Sequence, residues 1–202
     1  EDDEVATFSA EGVVEPPPRD AGHTTITSDV LRRIPGTRGD ALRAVELLPG
    51  VGRPAFGAGV LIVRGAAPGD SQVFLDGNPV PLLYHFGGLT SFFNSQLLES
   101  ITFVPGNFSV RYGRKIGGIL EVEPRDPRTD GYHGFVEVSV IDASLSLEGP
   151  IGDNFAFAVA FRRSLIDLVL GAVAQNADLQ FLTAPVYYDY QAIATWRHDD
   201  EN

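Results

Sequence analysis

From Gly131 onward the sequence alternates with a period of two. Val136, Val138 and Val140 fall on one side, with Phe135, Glu137 and Ser139 on the other. Leu145 and Leu147 oppose Ser144, Ser146 and Glu148. Phe155, Phe157, Val159 and Phe161 oppose Ala156, Ala158, Ala160 and Arg162. Tyr188, Tyr190, Ala192 and Ala194 oppose Tyr187, Asp189, Gln191 and Thr195. Successive side chains of a strand point to opposite faces, so this region reads as four strands with one apolar and one small or polar side. Two architectures accept that pattern. In a soluble sandwich the apolar side is the core. In an outer-membrane barrel it faces lipid, and the polar side faces the lumen.

Turn lengths favour the barrel. Ile141-Asp142 joins the first two strands, residues 150–154 join the next two, and residues 165–185 form a long excursion with a helical stretch. Short turns at one end and longer loops at the other are the outer-membrane arrangement. No stretch approaches the ~20 apolar residues that a membrane-spanning helix needs. The longest candidate, residues 165–174, is interrupted by Asp167.

Charge and chemistry exclude other classes. The 202 residues carry 15 basic and 27 acidic side chains, a net charge of −12, where a nucleic-acid binder normally presents a basic face. With no Cys, disulfides, thiolate metal sites and a cysteine nucleophile are excluded. The four histidines, His23, His85, His133 and His198, are scattered and sit in no nucleophile motif, so neither a metal centre nor an enzyme is expected. No cofactor is expected. The absence of Met, even at position 1, fits a processed or trimmed chain.

The N-terminal two thirds is organised differently. Residues 1–23 are acidic, hold Pro16-Pro17-Pro18, and read as a flexible arm with one β-prone run, Glu4-Val5-Ala6-Thr7-Phe8. Ser28 or Asp29 caps a helix that ends before Pro35-Gly36, and a second helix runs from Asp40 to Leu48 with Leu42, Val45 and Leu48 on one face. Strands are expected at residues 61–65, 71–75, 101–104 and 119–122, with a tight turn at Asp76-Gly77. The glycines Gly113, Gly117 and Gly118 permit close backbone approach, and no Gly-Lys-Ser/Thr ending makes them a P-loop. Residues 24–130 therefore form a small mixed α/β unit, slightly basic between acidic flanks.

The order of short motifs in this unit resembles the plug domain of TonB-dependent outer-membrane receptors. Ile34-Pro35-Gly36-Thr37 and Gly39-Asp40-Ala41-Leu42 are followed by Leu48-Pro49-Gly50-Val51, Val63-Arg64-Gly65 and Val73-Phe74-Leu75-Asp76-Gly77. Then come Leu98-Glu99-Ser100-Ile101, Val104-Pro105-Gly106-Asn107-Phe108-Ser109, Arg111-Tyr112-Gly113-Arg114 and Gly117-Gly118-Ile119-Leu120-Glu121-Val122. The resemblance implies an α+β plug with a mixed sheet and short helices over residues 24–130. Residues 131–202 would then be the first four or so antiparallel transmembrane strands of a partial β-barrel. Family barrels have 22 strands, and four cannot close one.

The family resemblance also implies a function: a ligand-gated active transporter of the Gram-negative outer membrane. Its arm would lie in the periplasm, and TonB, driven with ExbB and ExbD, would pull on it after an external ligand binds. Residues 4–8 occupy the place of the TonB box, with Phe8 and Ser9 departing from the common form. Outer-membrane lipid and the remainder of the barrel are the other implied partners. Arg64, Arg111 and Arg114 are expected inside the lumen, paired with the inward acids Glu137, Glu148 and Asp189. Arg64 resembles the plug arginine that pairs with barrel acids. Tyr84, His85 and Phe86 are the ligand-binding candidates and suit an aromatic or peptide-like ligand, whereas Phe92 and Phe93 read as plug core. Siderophore, cobalamin, sugar, peptide and protein ligands all stay open. The competing reading is a soluble periplasmic or extracellular binding or scaffold module without transport activity.

Overall fold

The computed structural model describes residues 22–37, 39–52, 60–85, 88–177 and 186–197, with only the backbone of 172–177. The arm with Glu4, Val5, Ala6, Thr7 and Phe8, and also Phe86 and His198, lie outside the described residues.

Strand β1 (Thr24–Thr27) runs into the single-turn helix α1 (Ser28–Leu31). The second expected helix is a 3-10 helix, Ala41–Leu47, capped by the Asp40 side chain, which accepts from the Leu42 N–H. Its i to i+3 bonds, such as Arg43 N–H to Asp40 O, suit a short element halted by Pro49-Gly50. The expected face survives this tighter winding: Leu42 and Val45 are fully buried and Leu48 packs at the core's margin.

Strands β2 (Val51–Gly52) and β3 (Ile62–Val63) pair with each other. β4 (Gln72–Leu75) and β5 (Asn78–Val80) form a hairpin across Asp76 and Gly77, whose φ values of 48° and 72° give the primed turn that strand twist favours. With β6 (Leu98–Val104) and β7 (Ile119–Pro124) they make a sheet ordered β1-β6-β7-β4-β5. The β4–β7 pair is parallel and the rest antiparallel, so the sheet is mixed. Gly118 lets β7 pass close to β3, since a Cβ there would meet Val63 Cγ2 at 2.6 Å.

The second sheet is an antiparallel meander, β11-β10-β9-β8, of β8 (His133–Val138), β9 (Asp142–Ile151), β10 (Phe155–Ser164) and β11 (Tyr188–Trp196). Pro150, expected in a turn, stays in β9 opposite Ala156, and residues 152–154 turn the chain. Helix α2 (Ile166–Ala177) lies between β10 and β11. Among the described residues no helix is long and apolar enough to cross a membrane, which says nothing of strands.

The alternation resolves as two distinct faces. Val136 (68% exposed), Val138, Leu145, Leu147, Val159 and Tyr190 (76%) point away from the N-terminal domain. Ala156, Ala158, Ala160, Ser146, Glu148 and Arg162 are buried on the other side. Ala158, Ala160 and Ile193 join the N-terminal domain's core cluster, small side chains that let the two sheets approach. A soluble sandwich requires the opposite arrangement, with the apolar face covered.

Candidate functional site

Among the described residues, the contact between the N-terminal domain and the inner face of the four-stranded sheet is polar at several places, three of which are at least partly buried. The first is at Glu148 on β9. Arg125, just past β7, donates to both its carboxylate oxygens at 2.6 and 2.7 Å, the planar fork matching the carboxylate. The Arg128 N–H adds a third bond at 3.1 Å, and Arg125 Nε donates to the Gln96 carbonyl at 2.7 Å.

The second centres on Arg162 of β10. Its guanidinium donates to Asp189 on β11 at 2.8 Å, to the Thr90 hydroxyl at 3.2 Å and to the Ser91 carbonyl. The other Asp189 oxygen lies 2.7 Å from His85 Nε2. The His85 ring stacks on Tyr187, with centroids 4.2 Å apart and planes 8° from parallel. The Tyr187 hydroxyl donates in turn to Asp142.

The third is uncharged. Gln191 accepts from the Asn94 N–H at 3.0 Å and donates to the Phe92 carbonyl at 2.7 Å. Its amide thus takes the place of a strand neighbour for residues 92–94.

Behind this contact lies Asp40, fully inside the N-terminal domain. Its carboxylate accepts from the Ser91 N–H at 2.6 Å, the Ser91 hydroxyl at 2.7 Å and the Leu42 N–H at 3.2 Å. Burial raises its pKa above the usual carboxylate range, although the Ser91 hydrogen bonds pull the other way. It therefore fixes the segment that Arg162 and Gln191 grip. A cavity of about 220 Å³ opens beside it, lined among others by Arg43, Glu137, Asp142 and Arg162.

The expected site residues are distributed unevenly over this geometry. Glu148 and Asp189 lie in the contact, but their partners are Arg125, Arg128, Arg162 and His85. Arg111 is engaged within its own domain, by Glu121 and Tyr112 on the segment leading to β7 and on β7 itself. Arg64 and Arg114 occupy left-handed turns, at φ 51° and 67°, and make no ion pair among the described residues. Arg64 lies over two glycines, with Nη1 3.2 Å from where a Gly106 Cβ would stand. Glu137 reaches the backbone of Gly39, 2.9 Å from that glycine's Cβ position, and has no ionic partner among the described residues.

Tyr84 departs furthest from expectation. It is 3% exposed, its hydroxyl donates to the Leu42 carbonyl at 3.2 Å, and burial drives its pKa strongly upward. An antiparallel bridge to Ser91 folds it into the core. It packs in the core of the N-terminal domain. Arg125, Arg128, Arg162, Gln191 and Asp40 were not singled out from sequence. For Arg162 and Gln191 the signal was present, since both fall at inward parity on their strands.

The comparisons with known proteins agree with this architecture. Residues 19–119 match the family model described as TonB-dependent Receptor Plug Domain. No curated protein sequence matches the chain. Among solved structures, the fold is similar to the siderophore receptor PirA from Pseudomonas aeruginosa, with a TM-score of 0.59, 19% identity, and coverage of 92% of this chain and 32% of that one. PirA from Acinetobacter baumannii gives 0.59 and 18%, covering 90% and 30%. A mutant of the ferric enterobactin receptor PfeA from Pseudomonas aeruginosa gives 0.57 and 18%, covering 89% and 31%. The chain spans about a third of the length of these receptors.

Proposed function

The chain belongs to the TonB-dependent receptor family, and from that premise we propose that it is the plug and the opening wall strands of an active transporter in the outer membrane of a Gram-negative bacterium. The observation that carries this reading is the sidedness of the four-stranded sheet. Its outward face is apolar and uncovered, while its inward face holds the plug through Glu148, Arg162 and Gln191. A lipid-facing wall around a polar plug needs that sidedness.

In this reading the turn at residues 152–154 is periplasmic, and the residue 139–141 hairpin and the excursion carrying α2 are external. Residues 4–8 bind TonB by adding a strand to its sheet, an interaction made by backbone hydrogen bonds and so requiring a run free of Pro. Pulling on the arm rearranges a plug held by many individually modest polar contacts. The external ligand is met at His85 and Phe86, with Tyr84 supporting them from the core. The siderophore receptors of similar fold suggest a metal chelate as that ligand.

The test is ligand uptake by the full-length receptor carrying Val5→Pro. Uptake falls to background while ligand binding to cells is retained. Unimpaired uptake by this variant removes the energy-coupling role of the arm.

A further inference from the structure

Strand register sorts the outward side of the wall into rows. Phe155 pairs with both Ile151 and Trp196, so these three stand level across β9, β10 and β11 at the end of the sheet next to residues 152–154. Their neighbours Ala156 and Thr195 have the opposite parity and face the plug: Ala156 is buried, and the Thr195 hydroxyl donates to Asp126 at 3.1 Å. Ile151 is 54% and Trp196 76% exposed. One row further along the sheet, Phe157 stands level with Gly149 and Ala194. The Tyr132 ring lies over Gly149, with its centroid 6.5 Å from that of Phe157. The following row, Leu147, Val159 and Ala192, is aliphatic. Aromatic side chains thus gather at this end of the outward face, as they do where a membrane protein meets the headgroups.

The chain turns directly beyond the first row. Gly152, at φ 67°, permits the sharp reversal, and the Arg197 N–H donates to the Asn154 carbonyl at 2.7 Å, fastening the turn to the end of β11. An open cavity of about 410 Å³ lies here, lined by Ile151, Asp153, Asn154, Phe155 and Trp196. It falls within the range of about 300–1,000 Å³ that small-molecule sites occupy. Asp153 is its one charged lining group among the described residues. Aromatic rings attract a cation, and a carboxylate supplies the opposite charge. Together they favour an ammonium group and disfavour a free phosphate, while Ile151 offers apolar surface beside them.

We propose that this cavity binds the headgroup of a phospholipid carrying a primary ammonium, as phosphatidylethanolamine does. The ammonium lies between the Asp153 carboxylate and the Phe155 and Trp196 side chains, and the acyl chains run along the wall past Phe157 and Val159. The occupant is lipid because the cavity is continuous with the apolar outward face and sits at its rim, where headgroups meet a membrane wall. This inference rests on the membrane-wall reading given above.

The test uses the full-length receptor with 5-fluorotryptophan at position 196 alone, held in phosphatidylglycerol nanodiscs to which phosphatidylethanolamine is added. The fluorine resonance should shift and saturate as that lipid is added. N-acetylated phosphatidylethanolamine, which has no ammonium, should leave it in place. In Asp153→Asn, a substitution at an exposed turn, the midpoint should rise about fivefold, the upper end for an exposed ion pair. No shift, a shift that grows without saturating, an equal shift with the N-acetylated lipid, or an unchanged midpoint in Asp153→Asn overturns the proposal. The same resonance tests the premise: relaxation by a water-soluble gadolinium chelate exceeding that by oxygen overturns the wall reading itself. Stronger relaxation by oxygen without a saturable shift overturns the headgroup site alone.

Discussion

Replacing Gln191 with Leu removes the uncharged grip on the plug with little change in side-chain volume. In the native protein its amide serves two plug main-chain groups, the Asn94 N–H at 3.0 Å and the Phe92 carbonyl at 2.7 Å. Asn94 is buried, so its N–H has no ready water in exchange. A buried donor left without its acceptor costs about 1–3 kcal/mol. If that cost is confined to the native seam, the opening free energy of residues 92–94 falls by the same amount. The Asn94 amide should then exchange about 5- to 150-fold faster, taking roughly 1.4 kcal/mol per tenfold. Deuterium uptake by the full-length receptor, read by mass spectrometry on the peptide covering residues 92–94, measures this. A peptide covering residues 120–122 is the control, because the β7 ladder does not touch Gln191. Unchanged uptake at 92–94 refutes the grip, and an equal rise at 120–122 shows global loosening in its place. Gln191→Glu keeps an acceptor for Asn94 and should preserve most of that amide's protection.

Three further outcomes follow from buried groups. Because burial raises the Asp40 pKa, the folded protein keeps this proton at a pH where the unfolded chain, titrating near 4, has lost it. Its contribution to stability is therefore greatest below about pH 4 and declines as pH rises through the raised native value. Thermal melts across this range should lose that component of their slope in Asp40→Asn, which should also melt lower by forfeiting an acceptor for Ser91. Gly118→Ala should cost about 1–3 kcal/mol by overpacking against Val63, with the Val63→Ala double variant recovering part of the loss in a denaturation series. Tyr84→Phe should cost about 1 kcal/mol through the lost bond to Leu42 and leave ligand affinity unchanged in a binding titration.

Features that local chemistry dictates were legible. Asp76-Gly77 demands left-handed backbone and makes the hairpin it announces. The alternation from Val136 to Thr195 fixes which side chains share a face, and even assigns Arg162 and Gln191 to the polar one. The pairing partners were illegible because they depend on how two separately folded sheets meet. Glu148 could be placed inward by parity, but nothing in its neighbourhood indicates that Arg125, in the connector after β7, arrives opposite it. Tyr84 misleads for a related reason. Residues 79–93 carry no period, so an aromatic there looks like a surface contact until the bridge to Ser91 turns it inward. The helix at Ala41–Leu47 was legible but its winding was not, because α and 3-10 helices share nearly the same apolar spacing over so short a run.

The chemistry of the seam also bears on how a plug can be held firmly and still be moved. Apolar burial contributes about 25 cal/mol per Å² and is lost in proportion to the area that water enters. A plug held to its wall mainly by such burial would resist displacement over its whole surface at once. Here the wall offers mostly alanines and polar groups, and four of its bonds go to plug main-chain atoms: the Ser91 and Phe92 carbonyls and the Asn94 and Arg128 N–H groups. Each can be replaced by water once the seam opens, so the net contribution of each Gln191 bond is about 1 kcal/mol, while those made by Arg162 and Glu148 contribute somewhat more. The paired charges keep the plug in register, because separating Arg125 from Glu148 in a dry state is costly while separating them in water is not. In the proposed transporter, wetting is therefore the step that would release the plug. A force that first admits water at the cavity beside Asp40, where Arg43, Glu137, Asp142 and Arg162 already form a polar lining, has the least work to do.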